Sequence, residues 1–170
     1  LKGKRVAWII GYPSANYVGE GCLAFGGLTW KDVKRVDFPS LGTAGKGVVE
    51  GKVDAACAAT YSAWCYEAEA SPRGIYFPPY PHADKEAWKR LQLSVPMMQP
   101  IFAAVGPGLS KEKPLETGSY PNPSLLVYDW ADAELAYQMA KVVHELWPVY
   151  SKAPALGMEQ FDPERRTYEY

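Results

Sequence analysis

The sequence predicts an α/β fold in which a mostly parallel sheet is flanked by helices and followed by a carboxyl-terminal helical segment. Three observations support this prediction. Short apolar segments alternate with helical ones, the connections between them are short, and residues 55–59 are apolar throughout. A continuous apolar segment is typical of a strand that is buried on both faces. The 170 residues, 48% hydrophobic and 22% charged, suffice for one domain or for one lobe and part of another.

The first strand is predicted at residues 6–10, and a Gly-Tyr-Pro-Ser turn leads from it into a helix over residues 15–26. That helix has apolar residues at helical spacing and ends at Gly26 and Gly27, as a glycine cap would end it. A helix N-terminus then lies at the carboxyl end of a strand. Its unpaired N–H groups and its dipole favour an anionic or carbonyl-bearing ligand.

The following elements continue the alternation. After a connector at residues 28–33, we expect strands at residues 34–38, 55–59 and 74–77, with helices that end near residue 50 and at Ala70. Further along, residues 133–147 carry apolar side chains at helical spacing, which predicts an amphipathic helix. Short βα connections of this kind are typical of parallel sheets.

Small polar residues follow three of the predicted strands. Each type commonly caps a helix, so any one alone is more typical of a cap than of a ligand contact. Their repetition at the edge where open α/β sheets bind ligands also favours a binding site. Aromatic residues at the same corners fit either core packing or the wall of a pocket. The polar residues are Ser14, Asn16, Ser40, Thr43, Thr60 and Ser62, and the aromatic ones are Tyr12, Tyr17, Tyr61, Trp64 and Tyr66.

Charge and composition argue against several classes of function. A net charge of −1 with a pI near 6.2 is not typical of a nucleic-acid-binding protein. No apolar run approaches the roughly 20 residues of a membrane span. The spacing of Cys22, Cys57 and Cys65 is not that of a metal site. We expect buried thiols, and an oxidising compartment would allow one disulfide. His82 and His144 lie far apart, and we expect no metal and no cofactor.

Several segments, in their order along the chain, resemble the second lobe of a type II periplasmic solute-binding protein. The resemblance is closest to the TAXI receptors of tripartite ATP-independent periplasmic (TRAP) transporters, with nitrate- or sulfonate-binding receptors and a group of pyrimidine-synthesising enzymes behind them. The segments that carry it are Leu-Lys-Gly-Lys-Arg-Val at residues 1–6, the turn at 11–16, residues 28–34, Val-Glu-Gly-Lys-Val-Asp-Ala at 49–55, residues 119–121 and 125–128, and the helix at 133–147.

This resemblance implies a division into a ligand-binding lobe (residues 1–95), a crossover segment with a return strand (96–130), and a carboxyl-terminal helix and tail (131–170). In the family the first of these motifs opens the second lobe, so we expect the first lobe to be missing from this chain. The apolar return strand and last helix would then lack their usual partner. We expect either self-association or a compact arrangement in which that helix packs on residues 1–77.

The function implied by the resemblance is that of a periplasmic receptor. It would capture a small polar or anionic solute by closure of two lobes and deliver it to membrane transporter subunits, with no chemical step. Hydroxyl groups and backbone amides would bind the solute, and aromatic rings would wall the cleft. The candidate contacts are Tyr12, Ser14, Asn16, Thr43, Thr60, Tyr61, Trp64 and Tyr120.

Two other classes of protein fit the same architecture: an enzyme of the pyrimidine-synthesising group, and the ligand-sensing effector domain of a regulator. The sequence contains no nucleophile elbow, no HExxH and no phosphate-binding GxxxxGK, which argues against catalysis. Two departures from the family pattern concern the site itself. The glycine-rich turn of the family is replaced by Tyr12-Pro13-Ser14, and residues 78–114 match poorly.

Overall fold

A pair of parallel strands lies at the centre of the amino-terminal part of the chain. In the computed structural model, which describes residues 1–120 and 126–152, β1 (Arg5–Ile9) pairs with β2 (Lys34–Phe38), Arg5 opposite Lys34 and Ile9 opposite Phe38. Helix α1 (Pro13–Phe25) and a 3-10 turn at Trp30–Asp32 connect them. The strands predicted at residues 6–10 and 34–38 and the helix predicted at residues 15–26 are confirmed with small shifts of their bounds, and the fold is mixed α/β.

Alternation along β1 separates its two faces. Ala7 and Ile9 are buried in a core with Phe38, Ala44 and Val53. On the opposite face the ring of Trp8 meets Trp30 edge-on at 5.0 Å between centroids, and the Arg35 guanidinium lies 4.0 Å above the Trp8 ring. Both faces of the strand are therefore covered, as its apolar sequence requires.

Helix α2 (Leu41–Val49) covers the Ile9 face of the sheet. It begins at a capping box in which Ser40 and Thr43 satisfy each other's backbone N–H groups. Its Gly47 lies so close to Phe38 that an added Cβ would stand 2.6 Å from the ring. Glycine is needed there because any side chain would push the helix away from the sheet.

The predicted strand at residues 55–59 is wrong beyond its first residue. Ala55 makes a single parallel bridge to Val6, through hydrogen bonds from Ala7 N to Ala55 O (2.9 Å) and from Ala55 N to Arg5 O (3.2 Å). Residues 56–59 have no regular secondary structure.

The predicted strand at residues 74–77 is also wrong. This stretch is irregular, Gly74 has a φ of 66°, and Tyr76 is 77% exposed. The apolar residues there suggested a strand. However, Pro72, Pro78 and Pro79 flank the stretch closely, and each lacks the N–H group that a strand ladder needs.

An antiparallel pair that the sequence did not predict completes this part of the chain. Strand β3 (Gln99–Ala103) pairs with β4 (Leu115–Ser119), and helix α4 (Lys85–Ser94) precedes them. Helix α4 packs on α1, where a Cβ on Gly21 would meet Val95 at 2.6 Å. Helix α3 (Ala63–Ala70), which confirms the helix predicted to end at Ala70, packs on α2.

The chain divides into two compact units, Leu1–Ser119 and Tyr120–Tyr170. The described part of the second unit contains α5 (Ala133–Glu145) and the short α6 (Trp147–Tyr150), which agree with the predicted carboxyl-terminal helix. Of the expected return strand, Leu125 lies outside the described residues, and Leu126 and Val127 lie in irregular backbone. None of the described helices has the length and apolar character needed to cross a membrane.

An ion pair fixes the start of the third segment to β1. The Asp54 carboxylate accepts hydrogen bonds from Arg5 Nη2 (2.6 Å), Arg5 Nε (3.1 Å) and the Arg5 backbone N–H (2.8 Å). These bonds from Arg5 hold the pKa of Asp54 far below its ordinary value. The carboxylate therefore stabilises the fold above its unfolded-state pKa, and that contribution is lost as the pH falls through the folded-state pKa.

We predict that acid will destabilise the protein partly through this group. The free energy of unfolding should fall as the pH drops below about 4, the ordinary pKa of an Asp. In Asp54→Asn that part of the pH dependence should be absent, and the variant should be less stable than the wild type at pH 7. Urea unfolding followed by circular dichroism at several pH values measures both.

Asp37→Asn, which removes a surface ion pair with Arg35 inside β2, is the control and should keep the wild-type slope. An unchanged slope in Asp54→Asn would contradict the assignment.

Candidate functional site

The strand order creates a topological switch point at the carboxyl end of β1. Strand β2 lies on one side of β1, and the bridge residue Ala55 lies on the other. Since βαβ connections are right-handed, α1 and α2 lie on opposite faces of the sheet. The chain after Ala55 leads to α3, which packs on α2, so the loops that leave β1 and Ala55 run toward opposite faces. Open α/β sheets bind ligands at such a point, and we call the region between the end of β1 and residues 56–61 the crevice.

Asn16 occupies the base of this crevice. Its side chain, 6% exposed, accepts a hydrogen bond from Ile9 N through Oδ1 and donates one to Ile9 O through Nδ2, both at 2.8 Å. The carboxamide thus bonds the backbone of Ile9 as a neighbouring strand would. Because these two Ile9 groups are buried, their pairing is needed for stability.

The position of Asn16 explains why the third strand stops at Ala55. Continuing the register of Ala55 would bring Cys57 O to the N–H of Ile9 and the N–H of Ala59 to Ile9 O. The Asn16 carboxamide already bonds both Ile9 groups. Residues 56–59 therefore leave the sheet. After these residues, Thr60 Oγ1 donates a hydrogen bond to Val105 O at 2.6 Å.

Tyr12 and Ser14 lie at the open end of the crevice. Tyr12 is 42% exposed and precedes α1, but no side chain caps that helix and its first turn holds no acidic residue. Ser14 is exposed in the first turn. Gly11 lies against the next loop, since an added Cβ would stand 3.0 Å from Pro39 O. The β1–α1 and β2–α2 turns therefore lie side by side.

The other candidate contacts have partners within the protein. Thr43 belongs to the capping box of α2, and Thr60 is bonded to Val105, so both serve local structure. Trp64 is half-buried and its ring lies directly on Gly45 of α2. Tyr61 is half-buried just after Thr60. Tyr120 is the first residue of the second unit.

Two thiols, those of Cys22 and Cys57, influence each other's ionisation. The Cys57 side chain lowers the pKa of Cys22 on α1, and Tyr80 acts in the same direction, while burial opposes both. Cys22 and burial raise the pKa of Cys57. The two cysteines are 35 positions apart, and the strand expected at residues 55–59 would have kept Cys57 in the sheet.

A second concave surface lies away from the crevice. It is an open groove of about 420 Å³ between α4 and the start of β3, lined by residues that include His82, Lys85 and Trp88. His82 Nε2 is hydrogen-bonded to Ile101 O at 3.1 Å, and Lys85 Nζ donates a hydrogen bond to His82 O at 3.0 Å. Those contacts hold the loop before α4 in place. Among the described residues, no group of three His, Cys, Asp or Glu side chains could hold a metal ion.

Comparisons of the chain with protein-family models, with curated proteins and with solved structures found no match.

We predict that Asn16→Ala will destabilise the protein by about 1 to 3 kcal/mol, because it leaves the buried N–H of Ile9 without a partner and removes one of the two hydrogen bonds to Ile9 O, which also accepts from Tyr12 N. Urea unfolding measures the change. Ser14→Ala, two positions away on the exposed surface of the same helix, is the matched control and should change stability by less than about 0.5 kcal/mol. Equal stability of the two variants would refute the role given to Asn16.

A second prediction concerns Trp64. Gly45→Ala should destabilise the protein by about 1 to 3 kcal/mol, because the new methyl group overlaps the Trp64 ring. Gly42→Ala lies in the same helix with no atom within 4 Å of the added Cβ, and it should be neutral or slightly stabilising. If Gly45→Ala proves as stable as Gly42→Ala, Trp64 is free to face the crevice instead of α2.

Proposed function

We propose that this chain is the ligand-binding part of a solute receptor of the TAXI type. It captures a small polar or anionic molecule in the crevice at the end of β1, for delivery to a TRAP-type membrane transporter in the periplasm. Binding and release suffice for this function, and no chemical step is involved. The observation that carries the proposal is the divergence of the chain on either side of Asn16, which opens the crevice.

Two of the segments that carry the resemblance are bonded to each other. Arg5 lies in the Leu-Lys-Gly-Lys-Arg-Val segment and Asp54 in the Val-Glu-Gly-Lys-Val-Asp-Ala segment. The two hydrogen bonds from the Arg5 guanidinium to the Asp54 carboxylate set the register in which Ala55 pairs with β1. The pairing gives a physical reason for these two motifs to occur together. It supports the comparison with a type II periplasmic-binding-protein-like lobe.

The preference for a polar or anionic solute follows from the difference between two helix starts. At α2 the N-terminal N–H groups are capped by the Ser40 and Thr43 pair. At α1 no side chain performs this role, and the exposed Ser14 adds a hydroxyl beside the helix start. A carboxylate or similar oxygen at α1 would receive backbone and hydroxyl hydrogen bonds and favourable helix-dipole electrostatics. Tyr12 would lie alongside it as an aromatic wall.

The test begins with the solute itself. Protein purified under non-denaturing conditions is denatured, the released small molecules are identified by mass spectrometry, and the identified compound is titrated back calorimetrically. We expect an acid or a polar oxygen-rich compound. Ser14→Ala should weaken its binding by about 1 to 3 kcal/mol, the cost of a lost hydrogen bond to a charged group.

Ser94→Ala, at the end of α4 and outside the crevice, is the matched control and should bind as the wild type does. Folding of both variants is verified by circular dichroism. Unchanged affinity in Ser14→Ala would remove the α1 start from the site. Absence of any bound or titratable small molecule would contradict the receptor function.

A further inference from the structure

The outer edge of β3 carries backbone groups that point away from the sheet. In an antiparallel pair, residues that bond each other alternate with residues whose N–H and C=O groups face outward. Glu116 O accepts a hydrogen bond from Tyr80 N at 2.8 Å, on the outside of β4. Glu116 is therefore an outward-facing position, and so is Phe102, which lies opposite it on β3. In the part of the chain that the structure describes, the N–H and C=O of Phe102 have no hydrogen-bond partner, and its side chain is 61% exposed.

The groove beside this edge is positively charged. It has a volume of about 420 Å³, and its lining includes Lys85 and Lys89 but no Asp or Glu. The two lysines are four positions apart, so they lie on one face of α4. Neither forms an ion pair with a described carboxylate. Two ammonium groups are therefore available to an anionic partner in the groove.

The sheet presents the same face to α4 along the whole of β3. Pro100 lies opposite Gly118, and a Cβ added to Gly118 would stand 3.3 Å from the ring of Trp88 on α4. Paired residues of neighbouring strands share a face, so the side chains of Pro100 and Phe102 are on the α4 side. Pro100 also lines the groove. A strand added beyond β3 would direct every second side chain toward that side.

We propose that the outer edge of β3 binds an extended acidic segment of another protein. The segment adds as an antiparallel strand, and its carboxylates at alternate positions reach Lys85 and Lys89. Its backbone exchanges two hydrogen bonds with Phe102 and donates a third to Pro100 O. The inference depends on β3, β4 and α4 alone and is independent of the function proposed above.

The sequence of β3 favours an acidic partner over a second copy of this chain. Pro100 has no N–H, so the edge offers three hydrogen bonds where an ordinary strand would offer four, and backbone pairing alone is weak. Charge must supply the rest. Strand β3 reads Gln-Pro-Ile-Phe-Ala and contains no acidic residue. The β3 strand of a second copy would therefore bring no carboxylate to the two lysines.

The experiment titrates the full chain with a short capped peptide of alternating Glu and Val. Binding is measured calorimetrically, and amide exchange is followed by NMR. We expect binding that weakens as salt is added. The Phe102 amide should exchange more slowly in the complex, while the Ile101 amide, which already bonds β4, should be unchanged. Two control peptides separate charge from strand pairing: one has Gln in place of Glu, and one has N-methyl groups on alternate backbone nitrogens. Both should bind more weakly than the parent peptide.

Protein variants test the two parts of the edge separately. Lys85→Gln with Lys89→Gln should weaken binding of the Glu peptide by about 3- to 30-fold, the effect of losing two surface ion pairs, and should leave binding of the Gln peptide unchanged. Phe102→Pro removes the outward N–H without removing a β3–β4 hydrogen bond. It should bind about 3- to 10-fold more weakly than Phe102→Ala, which lacks the ring but keeps the N–H.

Three results would overturn the proposal. They are no measurable binding of the Glu peptide, equal binding of the Glu and Gln peptides, and slow exchange of the Phe102 amide that depends on protein concentration without any peptide. The last result would mean that a second copy covers the edge. The control peptides decide the question on the wild-type protein even if Phe102→Pro fails to fold.

Discussion

The bidentate hydrogen bond between the Asn16 side chain and the Ile9 backbone is the interaction on which the site depends. It satisfies the last strand residue of β1 without a neighbouring strand. The third segment is therefore held to β1 only at its start, by Ala55 and by the Arg5–Asp54 ion pair. One polar side chain thus ends the pairing of the third segment with β1 after Ala55. The cost of burying that carboxamide is offset because both of its hydrogen-bonding groups are used.

Different residues determine how the third segment pairs with β1 at the two ends of the strand. At its amino end, three hydrogen bonds to Asp54 fix the register of the third segment. At its carboxyl end, Asn16 excludes the same segment. Since register and exclusion come from separate residues, the crevice can open without loss of the parallel pairing below it. The packing of α4 on α1 supports the helix that carries Asn16.

Local sequence patterns predicted the elements whose own residues determine them. The short apolar segment at residues 6–10, the segment at 34–38 and the glycines after Phe25 were sufficient to predict β1, β2 and α1. Local patterns could not predict that the strand at 55–59 stops at Ala55, because this depends on the side chain of Asn16, about 40 positions earlier in the chain. Likewise Asn16 was expected at the site as a ligand contact, whereas its bonds to Ile9 give it a structural role.

Amide hydrogen exchange measured residue by residue by NMR tests the central claim most directly. If Asn16 replaces a neighbouring strand, the Ile9 amide should be protected to a similar degree as the Ala7 amide, which bonds Ala55 O. The Asn16 side-chain amide protons should exchange slowly, and the amides of Cys57 and Ala59 should lack strand-like protection. Protected Cys57 and Ala59 amides together with a rapidly exchanging Asn16 side chain would mean that the third strand continues along β1, and the account of the crevice would be wrong.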